Sequence, residues 1–217
     1  MRVGTDSVLL GAWANLHSAA RVLDVGTGSG ILALMVAQRT DDDTRIEAIE
    51  IDPAAAAEAQ VNFEQSRWRD RLQLIAGKFP QAAPSGPYDV IISNPPYFEN
   101  SLLPPASNRG RTRHTITLHP AEILAFAAER LTALGRVNLV LPVTTSEALI
   151  GRMGGLPLRV TRVCQVQSRA QKPVERLLLE FSRQHSTCEQ TSLVLHAGGN
   201  TRSDAYAALT QAFYTKD

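Results

Sequence analysis

The sequence predicts an α/β protein built on a doubly wound, mostly parallel sheet. Three observations carry this. Short apolar runs alternate with helical patterns along most of the chain, the order that parallel βαβ units require. One run, Tyr88–Ser93 (YDVIIS), is apolar almost throughout, as a strand buried on both faces should be. A glycine-rich turn, Gly26-Thr-Gly28-Ser-Gly30, joins the first strand signal to the first helix signal.

The elements follow in order. Arg21-Val-Leu-Asp-Val25 is a short strand signal that runs into the glycine turn. Ile31–Gln38 then spaces Ile31, Leu34 and Met35 for one buried helical face. Arg45–Ile51 predicts a second strand and Pro53–Ser66 a second helix, with proline tolerated in the first turn. Leu72–Ala76 and Tyr88–Ser93 are the third and fourth strands, and a long irregular stretch runs from Asn94 to about Leu118. Pro120–Leu134 predicts a helix stopped by Gly135, and Arg136–Leu141 a fifth strand. Leu158–Val166, Val174–Phe181 and Ser192–His196 read as strands without long helices between them, so a hairpin should place an antiparallel strand near one sheet edge. A closing helix is expected from about Asp204 to Tyr214, with Ser203 as N-cap. Neither a repeat nor a low-complexity linker divides the chain, so one domain over residues 1–217 is expected.

Composition narrows the function classes. Hydrophobic residues make up 44% and charged residues 20% of 217, an ordinary globular balance. The formal net charge of +1 excludes a polybasic binder but leaves room for a local basic patch. Two cysteines, Cys164 and Cys188, stand far apart, which argues against a disulfide framework or a cysteine-rich zinc site. No His, Cys or Asp spacing predicts a metal. No run of about 18 apolar residues and no leader pattern is visible, so a cytoplasmic protein is expected, without a membrane or an obligate protein partner. The chain opens almost directly on Val3-Gly-Thr-Asp6, with no room for an N-terminal strand.

The glycine turn carries the first chemistry. Glycines there permit a tight turn and close approach of a ligand to the backbone, and the helix N-terminus behind them favours an anion. The dinucleotide pattern GxGxxG is not met, although its GxGxxA variant fits Gly28-Ser-Gly30-Ile-Leu-Ala33. Asp24 stands against a pyrophosphate, because an acid directly before the loop would repel it. A cofactor with a cationic amino group and no phosphate suits this position better, and S-adenosylmethionine is one. Glu50, twenty residues beyond Gly30, lies where an acid accepts hydrogen bonds from ribose hydroxyls, and fits either cofactor. Asp52 is its competitor, with helix capping as the other role.

The second motif is Asn94-Pro95-Pro96-Tyr97, directly after the fourth strand. Two prolines fix the backbone and remove two N–H donors. The Asn94 side-chain oxygen and the Pro95 carbonyl then form a pair of acceptors, and Tyr97 offers a stacking face. Paired acceptors beside an aromatic ring suit a planar group that carries an NH₂. Together these residues make the chain resemble the class I S-adenosylmethionine-dependent methyltransferases that methylate amino groups. It is most similar to the bacterial tRNA1(Val) adenine-37 N(6)-methyltransferase family, through Val3–Ala14, Ile91–Tyr97 and Ala205–Tyr214.

The resemblance implies a Rossmann-like sheet of seven strands with the last-inserted one antiparallel, and tRNA as the partner. Gly26, Gly28 and Gly30 correspond to the loop beneath the methionine moiety, and Glu50 to the ribose acid. Thr5 and Asp6 correspond to the segment beside the methionine end, and Asn94–Tyr97 to the target-amine motif. Two departures stand out. Lys78 occupies the position after the third strand where many relatives have Asp, so recognition of the cofactor's adenine falls to backbone groups or to Phe79. The N-terminal segment that relatives carry ahead of Val3 is expected to be absent. Arg109, Arg111 and Arg113, with His114, form a basic loop after the motif that would contact tRNA phosphates. Arg159, Arg162, Arg169, Lys172 and Arg176 form a second basic group. The same amine chemistry also fits a glutamine amide of a protein or an rRNA base, and a non-catalytic cofactor-binding module is a further reading. The basic loop and the flanking segments favour RNA.

Overall fold

The computed structural model describes residues 4–96, 118–184, 187–199 and 201–214. The chain begins with α1 (Thr5–Trp13), then β1 (Arg21–Val25), α2 (Ile31–Arg39), β2 (Arg45–Glu50) and α3 (Pro53–Gln65). A single 3₁₀ turn leads to β3 (Leu72–Ala76) and β4 (Tyr88–Ser93). Next come α4 (Pro120–Arg130), β5 (Leu131–Pro142), α5 (Val143–Gly151), β6 (Arg159–Gln167), β7 (Arg176–Ser182) and β8 (Glu189–Val194). A small hairpin, β9 (His196–Gly198) with β10 (Thr201–Arg202), precedes α6 (Asp204–Thr210).

The main sheet runs in the order β3-β2-β1-β4-β5-β7-β6-β8. Only β7 is antiparallel to its neighbours. The 168–175 link is too short to return the chain to the far end of the sheet, so β7 must run back. Among the described residues the sheet has eight strands instead of seven, because β8 pairs in parallel along the outer side of β6. The antiparallel strand therefore lies third from the edge.

Core side chains pack on both faces of the sheet. One face joins Val22, Ile46, Ala48, Val90, Ile92 and Val140 to α1, α2, α3 and α6. The other joins Leu23, Val25, Ile91, Val137 and Leu139 to α4 and α5. On β1 this alternation turns Leu23 and Val25 to the second face and Asp24 to the first, toward α2.

Three elements depart from the sequence reading. Thr5–Trp13 forms α1, which buries Val8 through Ala12. A Cβ on its Gly11 would come within 2.7 Å of Met35 Sδ, so the glycine allows α1 and α2 to touch. Arg39 completes the packing by donating to the carbonyls of Gly11 and Ala14 at the end of α1, at 2.6 and 2.9 Å. The predicted 120–134 helix ends at Arg130, because Leu131 and Thr132 are drawn into pairing beside β4. Thr132 donates to Asp89 there at 3.1 Å. Gly135 is thus no helix stop: a Cβ on it would meet the Tyr88 carbonyl at 2.8 Å, so it permits close strand approach. Val143–Gly151 is a helix that the sequence reading lacked. The capping expectations are met at both sites, with Asp52 accepting from Ala54 N at 2.9 Å and Ser203 from Tyr206 N at 3.1 Å. Among the described residues no helix is long and apolar enough to cross a membrane.

Candidate functional site at the carboxyl edge of the sheet

In an open α/β sheet, ligands bind outside the carboxyl ends of the strands, where the connections diverge. Here β1 and β4 are neighbours, and each ends in one of the two motifs. The glycine turn leaves β1 and reaches α2 through Gly26, Gly28 and Gly30, at φ of 71°, 59° and 86°. That left-handed geometry favours glycine at all three. At Gly30 a side chain would also strike Phe63, whose ring edge lies 2.5 Å from an added Cβ. The backbone N–H groups of Gly26 and Thr27 both donate to the Ile49 carbonyl, at 2.9 and 3.0 Å, which ties the turn to β2.

Glu50 closes this clasp. Its Oε2 accepts from Gly28 N at 2.8 Å, and its Oε1 from Ile51 N and Asp52 N at 2.8 and 2.9 Å. The sequence reading gave this carboxylate to a ribose. In the structure it holds the glycine turn against the end of β2. Oε2 receives one backbone donor here and has a second lone pair for a ribose hydroxyl.

Asp24 is fully buried on the α2 side of β1. Its Oδ2 accepts from the Thr27 hydroxyl at 2.5 Å and from Ala33 N at 3.1 Å. It thereby caps α2 from a distance, since the N-cap Gly30 has no side chain to do so. Oδ1 is buried and has no hydrogen-bond partner among the described residues. Burial pushes the carboxyl up to about 7; the bonds from Thr27 and Ala33 oppose the rise, and the nearby Glu50 charge adds to it.

The second motif is fastened to the first. Ser93 Oγ donates to the Val25 carbonyl at 2.6 Å, so the end of β4 is pinned where the glycine turn begins. Asn94 Nδ2 donates to Ser7 Oγ at 2.9 Å, and Ser7 is buried on the first turn of α1. Ser7 was not among the residues expected from sequence; only its place beside Thr5 and Asp6 pointed to it. Pro95 and Pro96 follow Asn94 within the described chain. Thr5 is the first residue of α1. Asp6 Oδ2 accepts from Arg176 Nε at 3.1 Å, which links α1 to the start of β7. Tyr97, Arg109, Arg111, Arg113 and His114 lie outside the described residues.

Beside the glycine turn is a cleft lined by Gly26, Ile49, Ile51, Gly77, Lys78, Phe79 and Leu118. Gly77 N donates to the Glu50 carbonyl at 2.8 Å, which holds the turn after β3 next to the acid. Lys78 is exposed. Phe79 is buried and packs edge-on against Phe126, with ring centroids 5.0 Å apart. Its ring is thereby committed to the core, so an adenine in the cleft would meet the Gly77–Phe79 backbone and the apolar Ile51 and Leu118. The glycine turn, the Glu50 carboxylate beside it and the apolar slot are chemically suited to S-adenosylmethionine, which carries a ribose and an adenine but no phosphate.

The second basic group does not stay together. Arg159, at the amino end of β6, lies at the opposite edge of the sheet. Arg162 bonds Glu180 and Glu189 at 3.2 and 3.4 Å and lies over Trp13, 4.3 Å from its ring centre. Arg169, Lys172 and Arg176 flank the carboxyl edge, in or next to the β6–β7 link.

The comparisons with known proteins agree with this geometry. The model of the family described as methyltransferase small domain matches residues 3–146. Among solved structures, a predicted O-methyltransferase from Agrobacterium tumefaciens superposes with a TM-score of 0.71, at 17% identity over 96% of both chains. A methyltransferase from Pyrococcus furiosus gives 0.62, at 23% identity over 84% of both chains. Fold and site together define a class I methyltransferase, a class whose methyl donor is S-adenosylmethionine. A tRNA1(Val) (adenine(37)-N6)-methyltransferase of Aeromonas salmonicida is 42% identical over 218 residues, covering 100% of this chain and 91% of the relative. One from Klebsiella pneumoniae is 40% identical over 99% of this chain and 88% of its own. The chain belongs to the tRNA1(Val) (adenine(37)-N6)-methyltransferase family.

Proposed function

We propose that this chain transfers the methyl group of S-adenosylmethionine to the exocyclic N6 amine of an adenine in tRNA, adenine 37 of tRNA1(Val) by kinship with its relatives. The observation that carries the reading is the bond from Asn94 Nδ2 to Ser7 Oγ, at the strand end next to the glycine turn. It fixes the orientation of the Asn94 amide beside the place where the methyl donor would lie.

An adenine amine is a poor nucleophile because its lone pair is delocalised into the ring. The cofactor supplies a sulfonium-activated methyl carbon. The residues of this chain then have mainly to position the amine for in-line displacement. Asn94 Oδ1 and the Pro95 carbonyl accept the amine protons and favour a pyramidal nitrogen, which places acceptors where positive charge develops. Tyr97 stacks on the base, and Pro95 and Pro96 hold the acceptors rigid. Glu50, Asp24 and the glycine turn hold the ribose and methionine ends, with Thr5 and Asp6 beside the latter. Arg109, Arg111 and Arg113 contact phosphates. The target base leaves its stack most cheaply in a single-stranded loop, as in an anticodon loop. A cytoplasmic location goes with such a substrate.

The test is transfer of labelled methyl groups from S-adenosylmethionine to total tRNA, rRNA and release factors, with wild-type and Asn94→Ala protein. Label should enter tRNA as N6-methyladenine with the wild type only, while Asn94→Ala keeps its cofactor affinity. Label in rRNA or release factors but not in tRNA, or an unimpaired Asn94→Ala, would overturn the proposal.

A further inference from the structure

Two surface loops on the β6–β8 side of the sheet are built into one basic rim, next to the candidate site. The 168–175 link and the β9–β10 hairpin are joined by the bond from His196 N to Ser168 O at 3.1 Å, just beyond the bond from Leu195 N to Gln167 O at 2.9 Å at the end of β6. Arg169 crosses between them, donating through Nη2 to the Gly199 carbonyl at 3.0 Å. Arg202 lies over the ring of Tyr214, 3.6 Å from its centre, and 5.8 Å from that of Tyr206. Arg169, Lys172 and Arg202 are all exposed. The acid of the link, Glu175, accepts from Ser168 Oγ at 2.6 Å. The three cations are exposed, and these contacts hold the two arginines in place before any partner arrives. That lowers the ordering entropy a partner must overcome.

The rim is continuous with the site through named contacts. Arg176, at the end of the link, bonds Asp6; Asp6 adjoins Ser7, and Ser7 holds Asn94. Strands in a sheet are about 4.8 Å apart. From β4, which ends one residue before Asn94, the order β5, β7, β6, β8 places the link and the hairpin roughly 10–19 Å to one side of Asn94, with Arg202 toward the far end. At about 3.4 Å per stacked nucleotide of a strand, that is on the order of three to six nucleotides from the target. Phosphates that far from a base in a short loop belong to the stem that carries the loop.

We propose that Arg169, Lys172 and Arg202 form a docking surface for the phosphate backbone of the RNA stem flanking the target adenine. The assignment rests on the tRNA reading above and adds where that RNA lies on the protein. Fixed arginines and an exposed lysine that do not line the cleft beside the glycine turn suit a phosphate backbone better than a small ligand, which needs a concave site.

The experiment compares wild type with Lys172→Ala and with the triple variant Arg169→Ala/Lys172→Ala/Arg202→Ala. The substrates are full tRNA, an isolated anticodon stem–loop, and an oligonucleotide of the loop alone. The triple variant should raise KM for tRNA and for the stem–loop at least tenfold, with kcat and cofactor affinity unchanged. Lys172→Ala, which leaves both arginines in place, should shift KM in the same direction but less. KM for the loop oligonucleotide should be the same in all three proteins. The slope of log binding constant against log salt should shrink by about 0.7–0.9 for each phosphate that is no longer neutralised. Wild-type KM and salt slope in the triple variant would overturn the docking surface, as would an equal rise in KM on the loop oligonucleotide. Failure of the tRNA reading shows up separately, as wild-type protein that neither binds nor methylates any of the three RNAs, and it would take the docking surface with it.

Discussion

Replacing Glu50 by glutamine should loosen the glycine turn even when no cofactor is present. The carboxylate accepts three backbone N–H groups, from Gly28, Ile51 and Asp52. In Glu50→Gln the amide oxygen can keep Ile51 and Asp52, which places the NH₂ group against Gly28 N–H. Donor then faces donor in a half-buried spot. A hydrogen bond to a charged group is worth about 1.5–3 kcal/mol, and that is the expected loss of folding stability. Glu50→Ala should lose more, because all three bonds go. With a urea dependence of about 1–3 kcal/mol/M, Glu50→Gln should move the unfolding midpoint down by roughly 1 M with an unchanged slope. The measurement is urea unfolding of the cofactor-free protein, followed by calorimetric titration with S-adenosylmethionine. Cofactor affinity should fall in both variants, because the turn is loosened and the ribose acceptor is weakened or removed. A wild-type midpoint in Glu50→Gln would show that the clasp contributes nothing. Wild-type cofactor affinity in Glu50→Ala would remove the reason for placing the ribose there.

Asp24 should make both stability and cofactor affinity depend on pH. Its folded value lies near 7, above the ordinary carboxylate value of 3.8, so folding takes up a proton between those limits. This contribution to stability is full below about pH 4 and is lost as pH rises through 7. A cofactor ammonium favours the ionised carboxyl, so affinity for S-adenosylmethionine should rise from pH 5.5 to about 7 by up to tenfold per unit. Asp24→Asn should flatten that rise, and an unchanged profile in titrations across this range would discount the contact. Ser7→Ala should lower kcat by about 2–10-fold, the equivalent of one ordinary hydrogen bond, while KM for the cofactor stays put. Ser7→Thr should restore the rate, and single-turnover methylation reads the difference. Asn138 is fully buried in β5, and neither its Nδ2 nor its Oδ1 has a partner among the described residues. Asn138→Leu, close in volume, should stabilise the protein by about 1–3 kcal/mol and raise Tm; a lower Tm would mean that the amide has a partner after all.

What could be read from the chain alone was local in sequence. Glycines at 26, 28 and 30 announce a turn because only glycine takes left-handed backbone cheaply. The apolar run of β4, the Asp52 and Ser203 caps and the rigid Asn94–Pro96 segment likewise depend on near neighbours. Asp24 and Glu50 lie at the carboxyl ends of β1 and β2, whose direction the βαβ pattern dictates. The tertiary structure decided what distant segments do to one another. Ser7 and Asn94 are 87 residues apart, and Asp6 and Arg176 are 170 apart. Both contacts exist because the sheet order brings α1, β4 and β7 to one edge, and no local pattern encodes that order. Gly135 shows the difference in one residue. Beside a helical pattern it reads as a stop, but it lies in a strand, since the Tyr88 carbonyl leaves no space for a Cβ. The second basic group was divided for the same reason. Residues close in sequence on β6 and β7 face opposite edges and opposite partners once the strands are paired, so charge counted along the chain is not charge gathered on a surface.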